Sequence, residues 1–435
     1  MAEASGVAFG RYLRQLRERR ALSMGRVCDL TKNTPEPLDK ATLSRLERGQ
    51  QATSIYRLGP ISRIYEIAAD ALLERMELDR ELDRLEGPDT SGRSYDVLRL
   101  AGVDAVTRKN RKWDAYAFFR DAVPAAPADK RVAAWINLAS SIRSLGKNAL
   151  ALHELRALLD SKTLDAGQRA IVHERLSNCC RCLGDLKRAE SYADAAIAEA
   201  RALGDARTVA YALSARAAAA VDQEQWDAGY DLITASLAAY REGIDRESRL
   251  QPSPSFEAVA FLMLAECSLQ LANRSRARRL ILVARRLSER HDLPLGLAYS
   301  ELLTGWIDEA EGRVEQALLR WRRAIALAAR IDYPRIAFTA EVEIYRIALG
   351  AGRAARARAC RRRLERLVPW IPRHIPAYNR YRQLIEQEGE THGEFPKVSA
   401  VGARHTGDAV AVPRRNDRRP VGATGVSRRV ASDVR

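Results

Sequence analysis

Three observations predict an all-α protein: an N-terminal helix-turn-helix bundle, then an α-solenoid of stacked helix pairs, then a disordered basic tail. Apolar residues recur at three- and four-residue spacing from Phe9 to about residue 388, and no alternating stretch reads as a strand. A glycine followed five residues later by an alanine recurs at Gly146/Ala151, Gly184/Ala189, Gly312/Ala317 and Gly352/Ala357, the signature of a repeated unit. Beyond Glu388 the periodicity stops, and Gly, Pro, Val and Ser alternate with Arg pairs. The chain of 435 residues has room for two or three domains, and 46% of it is apolar, enough to bury a sizeable core.

The first element is an amphipathic helix marked by Phe9, Leu13 and Leu16, with Arg11, Arg14 and Arg17 to Arg20 making it basic. Ser23 is a good N-cap for a second helix, on which Val27 and Leu30 are expected to face inward. Thr31 to Asp39 carries Pro35 and Pro37 and reads as a stiff loop, with Asp39 capping the helix that follows.

That helix, Leu43-Ser-Arg-Leu-Glu-Arg-Gly49, is the most informative stretch. Leu43 and Leu46 share one face, whereas Ala41, Arg45 and Arg48 share another that is free to meet a partner. Gly49 can take the left-handed conformation that ends a helix. Glu47 leans toward the apolar face, where an ionised carboxylate is costly unless a cation pairs with it. Downstream, Ser54, Ile55, Leu58, Ile61 and Ile64 mark a further helix with a kink or restart expected at Gly59-Pro60. Leu72 to Leu85 predicts one more, ended by the breaker Gly-Pro-Asp-Thr-Ser-Gly at 87–92. The expected domains are 1–75, a helical linker 76–94, the repeat domain 95–388 and the tail 389–435.

The N-terminal run resembles the DNA-binding domain of lambda- and 434-type phage repressors, the XRE family. The resemblance implies that Glu47 pairs with Arg17 of the first helix. It places base-reading positions on Lys40, Ala41 and Arg45, with Ser44 nearby. Arg45 can offer two donors to guanine O6 and N7, and Ala41 can meet a thymine methyl. Ser23, Arg48, Gln50 and Arg57 are the expected phosphate contacts. Met24 stands where the family often has a glutamine, and the Thr31–Asp39 loop is longer than the family's tight turn.

In the repeats, small residues Ala139, Ser177 and Gly305 stand seven before the turn glycines, with Tyr345 the exception. This layout resembles the tetratricopeptide repeat, whose helices pack closely through small side chains at their crossing points. About seven units are expected, some of them forty residues apart rather than thirty-four because their helices are longer. Their first helices should line a concave wall, on which Asn137, Arg143, Asn178, Arg181, Trp306 and Arg346 could face a ligand. Asparagine amides suit a peptide backbone, and arginines suit carboxylates.

The formal charge of +16 favours a polyanionic partner, nucleic acid before membrane. No run of eighteen apolar residues occurs, and the N-terminus lacks a signal-peptide pattern, so a cytoplasmic protein without a membrane partner is expected. Cys179, Cys180 and Cys182, near His173, diverge around a helix and do not make a metal site. No phosphate-cradling glycine motif, paired zinc histidines or nucleophile elbow is present, which predicts neither catalytic residues nor a cofactor. The whole resembles peptide-sensing regulators that join the same two modules. It implies a sequence-specific regulator of double-stranded DNA, working as a homodimer with a peptide or protein effector. The alternative is an interaction scaffold whose helix-turn-helix no longer binds DNA.

Overall fold

The computed structural model describes residues 2–85, 87–107, 111–161, 163–246 and 253–392. Residues Met1–Glu388 form one compact unit. The tail expected from residue 389 lies outside the described residues except for the last turn of the final helix.

Five helices make the N-terminal part: α1 (Ala2–Arg19), α2 (Met24–Thr31), α3 (Lys40–Glu47), α4 (Ile55–Ile64) and α5 (Ala69–Arg84). Ser23 Oγ accepts the Arg26 N–H at 3.1 Å, and Asp39 Oδ1 accepts the Thr42 N–H at 2.6 Å, so α2 and α3 are capped as their sequences expect. Phe9, Leu13, Leu16, Val27, Leu43, Leu46, Leu58 and Ile61 are buried together.

Two expectations fail here. Leu30 is exposed, because the inward face of the short α2 runs through Val27 and Thr31, one full turn apart. Pro60 neither breaks nor restarts α4, which is continuous across it. The carbonyl deprived of a partner is that of Tyr56, which is exposed and can be hydrated.

The proline loop is held at both ends of its arc. Thr31 Oγ1 accepts the Leu38 N–H at 3.0 Å, and the Leu38 side chain is buried. On the outer side Glu36 accepts from Ser54 Oγ at 2.7 Å and pairs with Arg57 at 3.1 Å, tying the loop to the start of α4.

The rest of the described chain is a stack of consecutive helix pairs. They are α6 (Tyr95–Thr107) with α7 (Lys112–Ala125), α8 (Arg131–Ser144) with α9 (Asn148–Asp160), and α10 (Ala166–Cys182) with α11 (Leu186–Ala202). There follow α12 (Ala206–Asp222) with α13 (Trp226–Arg246), α14 (Pro254–Gln270) with α15 (Arg274–Arg290), α16 (Pro294–Ala310) with α17 (Val314–Arg330), and α18 (Pro334–Gly350) with α19 (Ala354–Leu367). A last helix, α20 (Pro376–His392), closes the array. The forty-residue period comes from two 17-residue helices and two three-residue turns. The turn glycines Gly146, Gly184, Gly312 and Gly352 all have positive φ, which is why glycine recurs there.

At the crossing of α16 and α17 a Cβ on Gly305 would lie 2.3 Å from Nε1 of the fully buried Trp321, so only glycine fits. Tyr345 breaks the small-residue pattern because it belongs to the last pair. Its hydroxyl crosses to α20 and donates to Glu388 at 2.6 Å.

The N-terminal part is packed onto the solenoid rather than tethered to it, and a continuous apolar core runs from Phe9 to Cys179. Tyr12 of α1 donates to Glu154 of α9 at 2.9 Å, and the Arg19 guanidinium lies 5.8 Å from the Trp135 ring centre. Glu74 of α5 accepts the Leu150 N–H at 2.7 Å, supplying from another helix the cap that the N-terminus of α9 lacks.

Candidate nucleic-acid interface and effector cavity

The α3 helix is fixed from behind. Arg17 Nε and Nη2 donate to the two oxygens of Glu47 at 2.6 and 2.9 Å, and Arg17 Nη1 donates to the Leu22 carbonyl at 2.9 Å. Both side chains are buried, so the pair works at reduced dielectric, with the lone pairs and N–H groups matched in a fork. Helix α1 approaches so closely that a Cβ on Gly10 would sit 2.4 Å from the Leu46 carbonyl oxygen. Backbone meets backbone there, which leaves α3 no room to tilt.

With one face anchored, α3 presents Lys40, Ala41, Arg45 and Arg48 to solvent, with Ser44 half-exposed between them. Arg45 rests on Gln51 and Thr42 at 3.3 Å each, and Arg48 folds back onto the Ser44 carbonyl at 3.2 Å. The contacts to Gln51 and to the Ser44 carbonyl are exposed, and a competing acceptor can replace them. Ser23 and Gln50 are also exposed. Arg57 departs from the set: it is half-buried and already paired with Glu36, so its charge is engaged within the protein. Met24 packs partly into the N-terminal core.

A second site lies inside the solenoid. The first helices of successive pairs, α10, α12, α14, α16 and α18, together with α20, line an open-mouthed cavity of about 340 Å³. Of the six groove residues expected, Asn178, Arg181 and Trp306 line it. Asn137, Arg143 and Arg346 do not, and Arg346 is instead paired with Glu309 and Glu343. The small hydrophobic side chains needed for close helix packing leave the interior to larger residues reaching in from the concave face, among them Tyr211, Phe256 and Tyr299.

At one wall Asp222, whose carboxylate is fully buried, bridges two arginines. Arg181 donates to it at 2.8 Å and Arg335 at 2.5 Å, and His374 Nε2 lies 3.6 Å away. Burial alone would raise the Asp222 pKa, but the two guanidiniums outweigh it and hold the carboxyl far below the usual range. Opposite effects act on Glu266, another lining residue, whose carboxyl is pushed up by burial although Tyr299 donates to it. Nothing in the sequence flagged Asp222, Glu266 or Arg335, since each sits in an unremarkable helical pattern far from its partners.

Of the clustered cysteines, Cys182 meets this site, its sulfur accepting from Arg181 Nη2 at 3.9 Å. Cys179 and Cys180 are buried, with their thiols pushed up by burial to about 12 and about 11. His173 faces Glu199 at 3.2 Å and stacks on Tyr192.

Comparison with known proteins adds the following. No curated protein matches the chain. Bacillus thuringiensis PlcR, solved with the peptide PapR7 and DNA, is 15% identical, with 68% of this chain and 99% of that one covered at a TM-score of 0.40. ComR from S. thermophilus, solved with DNA and its signalling peptide ComS, is 14% identical over 71% and 99%, with a TM-score of 0.34. Aspartyl phosphate phosphatase F from Bacillus subtilis is 13% identical over 87% and 96%, with a TM-score of 0.46. Residues 8–76 match the family model described as a helix-turn-helix domain, so the chain carries such a domain at its N-terminus, built on α1 to α5 and packed against a helical-repeat array.

Proposed function

We propose that this protein is a sequence-specific DNA-binding transcriptional regulator. Residues 1–75 contact DNA, 76–94 link, 95–388 receive an effector, and 389–435 form a basic tail. The observation that carries the reading is the exposed row Lys40, Ala41, Ser44, Arg45 and Arg48 on a helix pinned by the buried Arg17–Glu47 pair. A rigid helix with donors at its exposed face suits insertion in the major groove. Arg45 and Ala41 are assigned to bases, and Lys40 and Ser44 flank them. Arg48, Ser23 and Gln50 are assigned to phosphates. Arg57 can join them only by leaving Glu36. The formal charge of +16 supports a polyanionic partner.

One recognition helix buries little surface, so two copies reading half-sites about 34 Å apart are expected. The effector belongs in the central cavity. PlcR and ComR are solved with both DNA and peptides, and a peptide or protein is the class carried over from them. No helix among the described residues is long and apolar enough to cross a membrane, in keeping with the proposed cytoplasmic location.

The test is selection of bound duplexes from a random pool by the full chain over a range of salt. Enrichment of a motif, two-fold symmetric if the protein binds as a dimer, is the expected result. A pool that stays random while binding remains strongly salt-dependent would leave only nonspecific phosphate contact. Absence of binding would favour an interaction scaffold.

A further inference from the structure

The hydrogen-bonding capacity left open inside the cavity is one-sided. Its inner carboxylates are engaged, Asp222 by Arg181 and Arg335, Glu266 by Tyr299, and Glu174 by Asn178 at 2.8 Å, and the carboxylate of Glu224 stands exposed at the rim. Its donors are not. Arg181 Nε and Trp306 Nε1 are both shielded from solvent and meet no acceptor, and two guanidiniums share the single Asp222 carboxylate. A buried donor without an acceptor is costly, and a ligand acceptor that reaches it through a small shift of the neighbouring side chains removes that cost. Away from these donors the wall is apolar and aromatic, with Tyr211 and Phe256 edge to face at 4.8 Å.

We propose that the cavity binds a carboxylate borne on a small aromatic or branched apolar group, anchored by Arg181 and Trp306 beside Arg335. The volume of about 340 Å³ stands at the lower end of the range that encloses drug-sized ligands. It fits a free organic acid or the carboxyl-terminal end of a peptide. Arginine suits such a group because its planar donors match the two oxygens, and the surrounding low dielectric strengthens the pairing. The inference rests on the regulator reading only in identifying this ligand as the effector.

The test pairs each acid with its neutral amide on the full chain. Indole-3-acetate is compared with indole-3-acetamide, and leucyl-phenylalanine with its C-terminal amide, by thermal melting and calorimetric titration. The acids should raise the melting temperature and bind about tenfold or more tighter than their amides. Response to indole-3-acetate identifies a free acid as sufficient. Response to the dipeptide acid alone identifies a peptide terminus, and the carboxylate anchor stands in either case. Trp306→Phe keeps an aromatic face, trims the ring on its cavity side and removes one donor, so it should narrow the acid–amide gap with only a small change in the unliganded melting temperature. Arg335→Gln should abolish the gap.

Equal binding of acids and amides, or no binding of any probe, would overturn the proposal. So would tight binding of the dipeptide amide or an undiminished gap in Trp306→Phe. DNA selection is measured separately and without probes. A chain that binds the acids but enriches no DNA motif therefore refutes only the regulator reading, and the reverse result refutes only this one.

Discussion

Removing the Glu47 carboxylate tests whether the presentation of α3 depends on the pair behind it. In Glu47→Ala the Arg17 guanidinium loses two hydrogen bonds, at 2.6 and 2.9 Å, and keeps the one to the Leu22 carbonyl. Its side chain is 11% exposed and that of Glu47 only 3%, so water cannot replace the carboxylate without local rearrangement. Breaking a buried pair from one side costs about 3–5 kcal/mol, and the surviving Leu22 bond puts this case near 3 kcal/mol. That corresponds to roughly 100-fold more frequent opening of α3. Thermal melting of the whole chain would be dominated by the solenoid, so the proper readout is native-state hydrogen exchange at the α3 amides. The double variant Arg17→Met/Glu47→Leu, which removes both charges and keeps the apolar volume, should return exchange to within about 1 kcal/mol of the wild type. Exchange within twofold of wild type in Glu47→Ala would refute the reasoning. A double variant as unstable as the single one would show that shape rather than charge is at stake.

Other expectations are as follows. Under the regulator reading, Arg45→Ala should relax preference at one base position by about 1–3 kcal/mol, whereas Arg48→Ala should weaken all sequences alike. Equal loss from both would make Arg45 another phosphate contact. Thr31→Val leaves the buried Leu38 N–H without an acceptor and should loosen the 31–39 loop by about 1–3 kcal/mol, read as faster exchange at Leu38. Glu74→Ala uncaps α9 and should cost about 1 kcal/mol, seen as faster exchange at Leu150. His153, beside Glu154 at the junction of the two parts, has its pKa held below the ordinary 6.5, because burial outweighs the Glu154 charge. The unfolded chain therefore takes up the proton first. Stability from this group is full above about pH 6.5 and is lost as pH falls through the depressed folded value. Melting temperature against pH should be flatter for His153→Gln than for the wild type, and identical curves would count against the assignment.

The contrast between what could and could not be read beforehand is physical. Glu47 was legible because a charge on an apolar face needs a partner, and a known spacing led back to Arg17. The repeat turns were legible at Gly146, Gly184, Gly312 and Gly352, where positive φ selected glycine. They were hidden at Glu224, Ala272, Asp292 and Asp332, which take the same backbone conformation without a glycine to announce it. Leu30 was misplaced because apolar character does not reveal which of two adjacent helical positions a loop will need, and Thr31, with its hydroxyl, took the inward one. Arg57 was assigned to phosphate because Glu36, its partner, comes from the loop that lengthens this domain. The cavity was only half visible. Its rows of small residues mark helix crossings, but the Asp222 cluster joins residues 41 and 113 positions apart, and no local pattern encodes such a meeting.

That cluster also bears on how freely such a chain can change in length. Solenoids are nearly one-dimensional: each unit touches its neighbours, so units can be gained or lost with little effect elsewhere. Here a charge bridge from α10 through α12 to α18 spans the arc like a chord, and a second tie, from Lys112 to the Asp332 carbonyl at 2.9 Å, joins α7 to the start of α18. Insertion or deletion of one helix pair between these anchors would pull their partners out of register at both ties. The number of repeats is therefore locked by geometry, and the array should unfold as a block rather than fray unit by unit from its end.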